Sequence, residues 1–432
     1  MKSQKEKLKG KEKETVFISI AATIIVAILI LNFSTGPKHV RSEIKHLYST
    51  HDTEFLRTMG VVLGPALIGG NKVEVLLNGD AIFASMLEAI RTARKTIDFE
   101  TYIYWGETIG HEFAAALAER AQAGVKVHLL VDWLGSDKMD GGDIAKMKNA
   151  GVEVEKYNPL TWYSMSRLNN RTHRKLLIVD GHIGFTGGVG ISDKWRGNAQ
   201  DPDHWRDTHF RVEGPVVAQM QSVFMDNWIK VTGKVLHSDE YFPAMDSLGP
   251  IRAQIFSSAP AGGNESMELM YLLAITSAER SIELSSAYFV PDDLSIKSLV
   301  SALKRGVKVQ IITPGPHIDN ASVRGASRSR WGDLLSAGAE MYEYQPTMYH
   351  CKVMIVDDIF TTVGSTNFDP RSFGLNAEAN LNIYDTDFAI AQDKIFLDDL
   401  AHSKRLTYAQ WQHRPIWEKI LEQVASFFGS AL

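Results

Sequence analysis

Two short segments of this 432-residue chain carry the same pattern. His173, Lys175 and Asp180 lie in RTHRKLLIVDGHIGFTGG (171–188), and His350, Lys352 and Asp357 lie in YHCKVMIVDDIFTTVGS (349–365). Side chains alternate along a strand, so a His and a Lys two positions apart share one face. Two imidazoles and two ammonium groups facing one point suit a phosphodiester. One imidazole can attack phosphorus while the other protonates the departing oxygen. The lysines meet charge on the non-bridging oxygens. Fourteen residues after each His comes Gly187-Gly188 or Gly364-Ser365, with Asn367 following. Gly188, Ser365 and Asn367 are the candidate phosphate binders.

An imidazole that works as nucleophile or acid needs a carboxylate to fix its tautomer and support its charge. Asp207, in HWRDTHF, falls on the next strand of the first segment, and Glu378, in RSFGLNAEAN, is its counterpart in the second. Asp180 and Asp357 complete the motifs and stay among the candidates, but their place at hairpin turns reads as structural. A metal site is the competing chemistry, because His and Asp are ligands. The adjacent lysines would repel a cation and no third ligand recurs at fixed spacing, so no metal is expected. No G-x-S-x-G elbow is present for a Ser-His-Asp hydrolase. Cys351 sits between His350 and Lys352, points to the opposite face and reads as a small buried residue.

The elements that must position these groups are themselves duplicated. TARKTIDFETYIY (92–104) resembles SAERSIELSSAYF (277–289), AGVKVHLLVD (123–132) resembles RGVKVQIIT (305–313), and AGVEVEKYNP (150–159) resembles AGAEMYEYQP (337–346). Gly124 and Gly306 read as helix stops, and the apolar runs after them as strands. Strand–helix alternation implies an α/β fold whose strands are buried on both faces. The expectation is two α/β/α repeats with mixed sheets, 71–245 and 246–432, related by a pseudo-twofold axis that brings both motifs to one cleft. The first repeat carries an insertion before His173 holding Trp162, Tyr163 and Met165, read as lipid-contacting. The stripe Ile416, Trp417, Ile420, Leu421, Val424, Phe427 and Phe428 has helical spacing and reads as core packing.

Composition sets the remaining bounds. A hydrophobic fraction of 44% with 22% charged residues is that of an ordinary folded chain. The single cysteine excludes an internal disulfide. Residues 1–15 hold six lysines against three glutamates, a basic tail of net +3 that leaves the remainder near −8 in a chain of net −5. An acidic body argues against nucleic acid as partner. Residues 16–33, VFISIAATIIVAILILNF, carry no charge. As a helix they would extend about 27 Å, close to the hydrocarbon thickness of a bilayer. A retained single-span anchor is expected, with 34–70 as linker. Lys38, Arg41 and Lys45 follow the span, so the lysine excess precedes it and places the enzyme body on the non-cytoplasmic side.

At this point the residues are recognisable. H-x-K-x₄-D followed by Gly-Gly or Gly-Ser, twice, resembles the phospholipase D superfamily, over nearly everything after residue 71. GSTNFDPRSFGLNAE (364–378) is a specific match, and WRDTHFRVEGPVV (205–217) resembles the bacterial cardiolipin synthase branch. The resemblance implies a phosphohistidine intermediate, no cofactor and no metal. It makes His173 the nucleophile and His350 the acid, an assignment the residues alone leave open. The family commonly has Asn where this chain has Gly190. The implied activity is phosphatidyl transfer between phospholipids, phosphatidylglycerol first among them. A hydrolytic phospholipase D and a membrane-tethered nuclease of the same superfamily are the alternatives.

Overall fold

The computed structural model describes residues 2–33, 40, 42–161, 169–259 and 266–427. Its frame is one mixed sheet. The first eight strands are β1 Ile68–Leu77, β2 Thr96–Thr101, β3 Lys126–Asp132, β4 Glu153–Tyr157, β5 Arg171–Thr172, β6 Leu176–Val179, β7 Ile183–Gly187 and β8 Thr208–Glu213. The next eight are β9 Ile251–Ser258, β10 Ser281–Ser286, β11 Lys308–Pro314, β12 Glu340–Tyr344, β13 Lys352–Val356, β14 Phe360–Gly364, β15 Asn376–Tyr384 and β16 Ser403–Leu406.

The order in space repeats. From the middle outward one run is β1-β8-β7-β6-β2-β3-β4 and the other is β9-β15-β14-β13-β10-β11-β12, with β16 added at its edge. The runs meet where β1 pairs antiparallel with β9, across an irregularity between Ile68 and Asn71. The buried Asn71 side chain fills that break. Its amide donates to Ile68 O and Ile251 O, and its Oδ1 accepts from Val216 N.

Most of the strands are buried on both faces, as near-continuous apolar runs require, while β1, β4 and β16 are partly exposed. β2 and β13 are buried at every position. Helices Asn78–Thr92 and Thr108–Gln122 cover one part of the sheet, and Met267–Ser277 and Asp293–Lys304 another. A third apolar cluster takes residues from both runs, joining Leu176 and Ile178 of β6 to Val353 and Ile355 of β13. Gly124 and Gly306 end their helices at φ +91° and +94°, the left-handed region that glycine enters without a Cβ penalty.

The expected span 16–33 lies within the helix Lys2–Phe33. The side chains of 29 and 31–33 are outside the described residues. Among the described residues no helix is long and apolar enough to cross a membrane. Trp162, Tyr163 and Met165 also lie outside the described residues. The C-terminal stripe departs from the core packing expected of it. Ile416, Trp417, Ile420, Leu421 and Val424 of the helix Ile416–Phe427 are exposed, because that helix docks through its polar side.

Candidate active site

Each motif enters its hairpin along a strand borrowed from the other run. β5, directly before His173, pairs in parallel with β15, Arg171 opposite Asn376 and Thr172 opposite Ala377. Arg206 and Tyr349 form the matching parallel bridge before His350. The His backbone amides continue these contacts, His173 N donating to Ala377 O at 2.8 Å and His350 N to Arg206 O at 2.7 Å. His173, Lys175 and His350 thus face one cleft of about 710 Å³ with Asn367, Asp369 and Arg371.

The carboxylates are paired across the runs, whereas sequence order places Asp207 beside His173 and Glu378 beside His350. Nδ1 of His173 lies 3.0 Å from Glu378 Oε1. Nδ1 of His350 lies 2.7 Å from Asp207 Oδ2. A carboxylate only accepts, so each ring carries its proton on Nδ1 and leaves Nε2 as the reactive nitrogen. Both carboxylates are fully buried and further held. Glu378 accepts from Ser365 Oγ and from Asn376 Nδ2. Asp207 accepts from Trp195 Nε1 at 2.9 Å and from Thr208 N at 2.8 Å.

Electrostatics follow from burial. Desolvation outweighs the carboxylate partners and takes His173 down to about 4 and His350 down to about 3, so both rings are neutral near pH 7. Burial also raises the cost of ionising Glu378 and Asp207. The adjoining imidazoles and Lys175 or Lys352 more than offset it, and both acids stay below their ordinary values. Lys175 is brought down to about 7 by burial, and Lys352 is lowered for the same reason. Each ammonium is tied to the carbonyl of its own motif His, at 2.7 Å in both cases.

Of the three candidate phosphate binders, Asn367 alone lines the cleft, and its buried Oδ1 has no hydrogen-bond partner among the described residues. Ser365 is occupied instead as a donor to Glu378. Gly188 makes room for Asp207: a Cβ there would stand 2.2 Å from Asp207 Oδ1. Trp195 then donates to Asp207 as Ser365 does to Glu378. Asp180 and Asp357 sit at the far end of each hairpin, away from the cleft. Asp180 accepts from the amides of Arg94, Lys95 and Thr96. Asp357 accepts from those of Glu279, Arg280 and Ser281 and from Thr50 Oγ1. They anchor the hairpins to the strands beside them and do not touch the reacting groups. Cys351 is buried on the opposite face, where burial pushes its thiol up to about 12.

Several cleft residues escaped the sequence reading. Tyr102 stands edge-on to His173 at 5.2 Å, and Trp195 and Trp205 flank His350 at 5.3 and 5.4 Å between ring centroids. Tyr288 donates to Asp319 at 2.7 Å on the cleft wall. Trp205 is two residues from Asp207 in HWRD, the one local signal among them. Arg206 in the same segment clamps Asp399 through Nε at 2.8 Å and Nη2 at 2.9 Å, fixing the backbone that carries Asp207.

The chain resembles known proteins over most of its length. The family described as "Cardiolipin synthase, PLD-like domain" matches residues 86–228 and 271–400. A cardiolipin synthase of Geobacillus thermodenitrificans is 35% identical over 365 residues, 84% of this chain and 72% of that one. Cardiolipin synthase 1 of Bacillus anthracis is 34% identical over 383 residues, 87% of this chain and 74% of that one. Among solved structures, phosphatidylserine synthase of Haemophilus influenzae superposes with a TM-score of 0.68 at 15% identity, covering 88% of this chain and all of that one. At that identity the likeness is one of fold.

Proposed function

The chain belongs to the cardiolipin synthase, PLD-like domain family, and from that premise we propose that it moves a phosphatidyl group between phospholipids through a phosphohistidine on His173. It is a phospholipase D-type enzyme. The observation that carries the reading is the crossed pairing of His173 with Glu378 and His350 with Asp207 around one cleft.

Nε2 of His173 attacks phosphorus of a phosphatidylglycerol. An N–P bond forms, the bond to the glycerol oxygen breaks, and His350 protonates that oxygen. His350 needs a proton on Nε2 for this step. The anionic phosphodiester and Asp207 supply the negative charge that stabilises its imidazolium. In the second step a lipid hydroxyl gives its proton back to His350, attacks phosphorus and breaks the N–P bond. Lys175 and Lys352 meet the phosphoryl oxygens. Arg171, Lys194 and Arg371 line the same cleft, cationic lining that suits the phosphate of a second lipid.

Residues 16–33, the uncharged part of the helix Lys2–Phe33, are proposed as a single-span anchor, with the enzyme body outside the cytoplasm. The exposed Val16, Phe17, Ile18, Ile24, Ile25 and Ile30 support a lipid environment, and the lysine-rich tail supports the orientation. The test is the purified chain in phosphatidylglycerol vesicles, which should yield cardiolipin and free glycerol. Phosphatidic acid as sole lipid product would leave a hydrolase. Inertness toward lipid with cleavage of single-stranded DNA would leave a nuclease.

A further inference from the structure

The helix Ile416–Phe427 is packed inside out. Its most enclosed side chain among the described residues is an acid: Glu422 is 6% exposed. Glu422 Oε2 accepts from Arg414 Nε at 2.9 Å and Nη2 at 2.6 Å, and Oε1 lies 3.6 Å from Arg328 Nε. On the outer side Ile416 is 76% exposed, Trp417 62%, Ile420 58%, Leu421 60% and Val424 54%. A surface helix facing water does the reverse, burying its apolar stripe and exposing its acids. Five large apolar side chains on one face form a patch of the kind that marks a contact surface. The docking is nonetheless close, since Gly325 lets the helix approach the helix Ala321–Ser329, with Ala425 against it.

The patch is continuous with the mouth of the active site. A groove of about 710 Å³ beneath Trp417, Leu421 and Val424 is also lined by Ile318 and Ala321. The two residues between them in sequence, Asp319 and Asn320, line the catalytic cleft. One short turn therefore forms a wall of both.

We propose that this helix lies in the surface of the lipid bilayer and seats the cleft mouth against it. The occupant is lipid rather than a second copy of the chain for two reasons. A copy docked here would cover the groove beside the mouth through which the acyl chains of a substrate must pass. A tryptophan beside aliphatic residues, with Glu418 and Lys419 adjacent, is also the composition of a helix lying at the membrane–water boundary. The proposal rests on the phospholipid reading of the cleft. It adds a second attachment, distinct from the helix Lys2–Phe33, that orients the body as well as tethering it.

The test uses the full-length chain reconstituted in phosphatidylglycerol vesicles. The native Cys351 is buried, so Leu421→Cys gives one reactive thiol for an environment-sensitive dye. Emission from that dye should shift to the blue and be quenched by nitroxides on the lipid acyl chains, while the same dye at Glu88→Cys, on an exposed position of the first half, should not. Ile420→Asp with Leu421→Asp should lower turnover of vesicle lipid at least tenfold. It should leave unchanged the turnover of a short-chain phosphatidylglycerol below its micelle concentration, which also shows that the variant folds. An unquenched dye, unchanged vesicle turnover, or cross-linking of the introduced thiol between two copies would overturn the proposal. If the unmodified chain turns over no lipid at all, the functional reading fails, and dye quenching still decides whether this helix meets the bilayer.

Discussion

Glu378 Oε1 accepts from Nδ1 of His173 at 3.0 Å although the two residues are 205 positions apart in the chain. The reciprocal pair, Asp207 with His350, is 143 apart. Neither half of the chain supplies both members of either of these two pairs. The catalytic unit exists only once β1 and β9 are joined and β5 has paired with β15.

That arrangement predicts which steps each carboxylate supports. Glu378→Gln should slow formation of the covalent intermediate by roughly 10³–10⁴, because an amide in place of the acceptor permits the wrong tautomer. Asp207→Asn should slow release of the natural glycerol leaving group by a comparable factor and spare a nitrophenol ester. Ser365→Ala removes one donor to Glu378 and should cost about tenfold. Rapid-mixing kinetics on both substrates separates these cases, and a Glu378→Gln enzyme that forms the intermediate at the normal rate would refute the crossed roles.

The histidines should differ in the same way. His173→Ala should abolish turnover of every substrate. His350→Ala should lose phosphatidylglycerol turnover yet still attack a nitrophenol ester, whose leaving group departs without a proton. Equal residual rates of the two variants on that ester would show that the roles are shared.

Gly188→Ala is expected to be disproportionately harmful. Its Cβ would press on Asp207 Oδ1 from 2.2 Å, and displacing a catalytic group by about 1 Å can cost on the order of 10²-fold. The backbone at 188 is not in the left-handed region, so the fold should survive. Normal circular dichroism with at least about a hundredfold loss of turnover is the expected result, and full activity would contradict the packing described.

Lys175 should trade stability for function. Its folded-state value of about 7 lies below its ordinary 10.5, so between those values the unfolded chain holds a proton that the folded chain has released. Stability from this group therefore rises with pH across that window, and the full penalty applies below pH 7. The displacement from 10.5 to about 7 corresponds to roughly 5 kcal/mol. Lys175→Met should raise the thermal midpoint at pH 6, lose activity, and show no stability advantage above pH 10.5. A lower midpoint at pH 6 would show that the ammonium stabilises the fold.

The mixed α/β sheet and the two hairpins were legible because apolar runs, helix-stopping glycines and the Asp180-Gly181 turn are local signals. The cross-pairing of Glu378 and Asp207 was not. It depends on β5 crossing to β15, and Arg171–Thr172 is too short a strand to announce itself. Gly188 and Ser365 were misread for a related reason: position after the motif says that they lie near the site, but not that a buried carboxylate already occupies their side of it. The stripe from Ile416 to Val424 has a clear helical period, yet periodicity does not say which face turns inward. Arg414 and Arg328, by enclosing Glu422, decide that.

The most direct measurement is the site of the covalent intermediate. Phosphatidylglycerol labelled in its phosphatidyl group is mixed with the enzyme, the reaction is stopped in alkali, where an N–P bond survives, and the labelled peptide is mapped. The label should sit on His173, and in an unquenched sample it should pass into cardiolipin when unlabelled phosphatidylglycerol is added. Label on His350, or steady turnover with no labelled histidine, would contradict it.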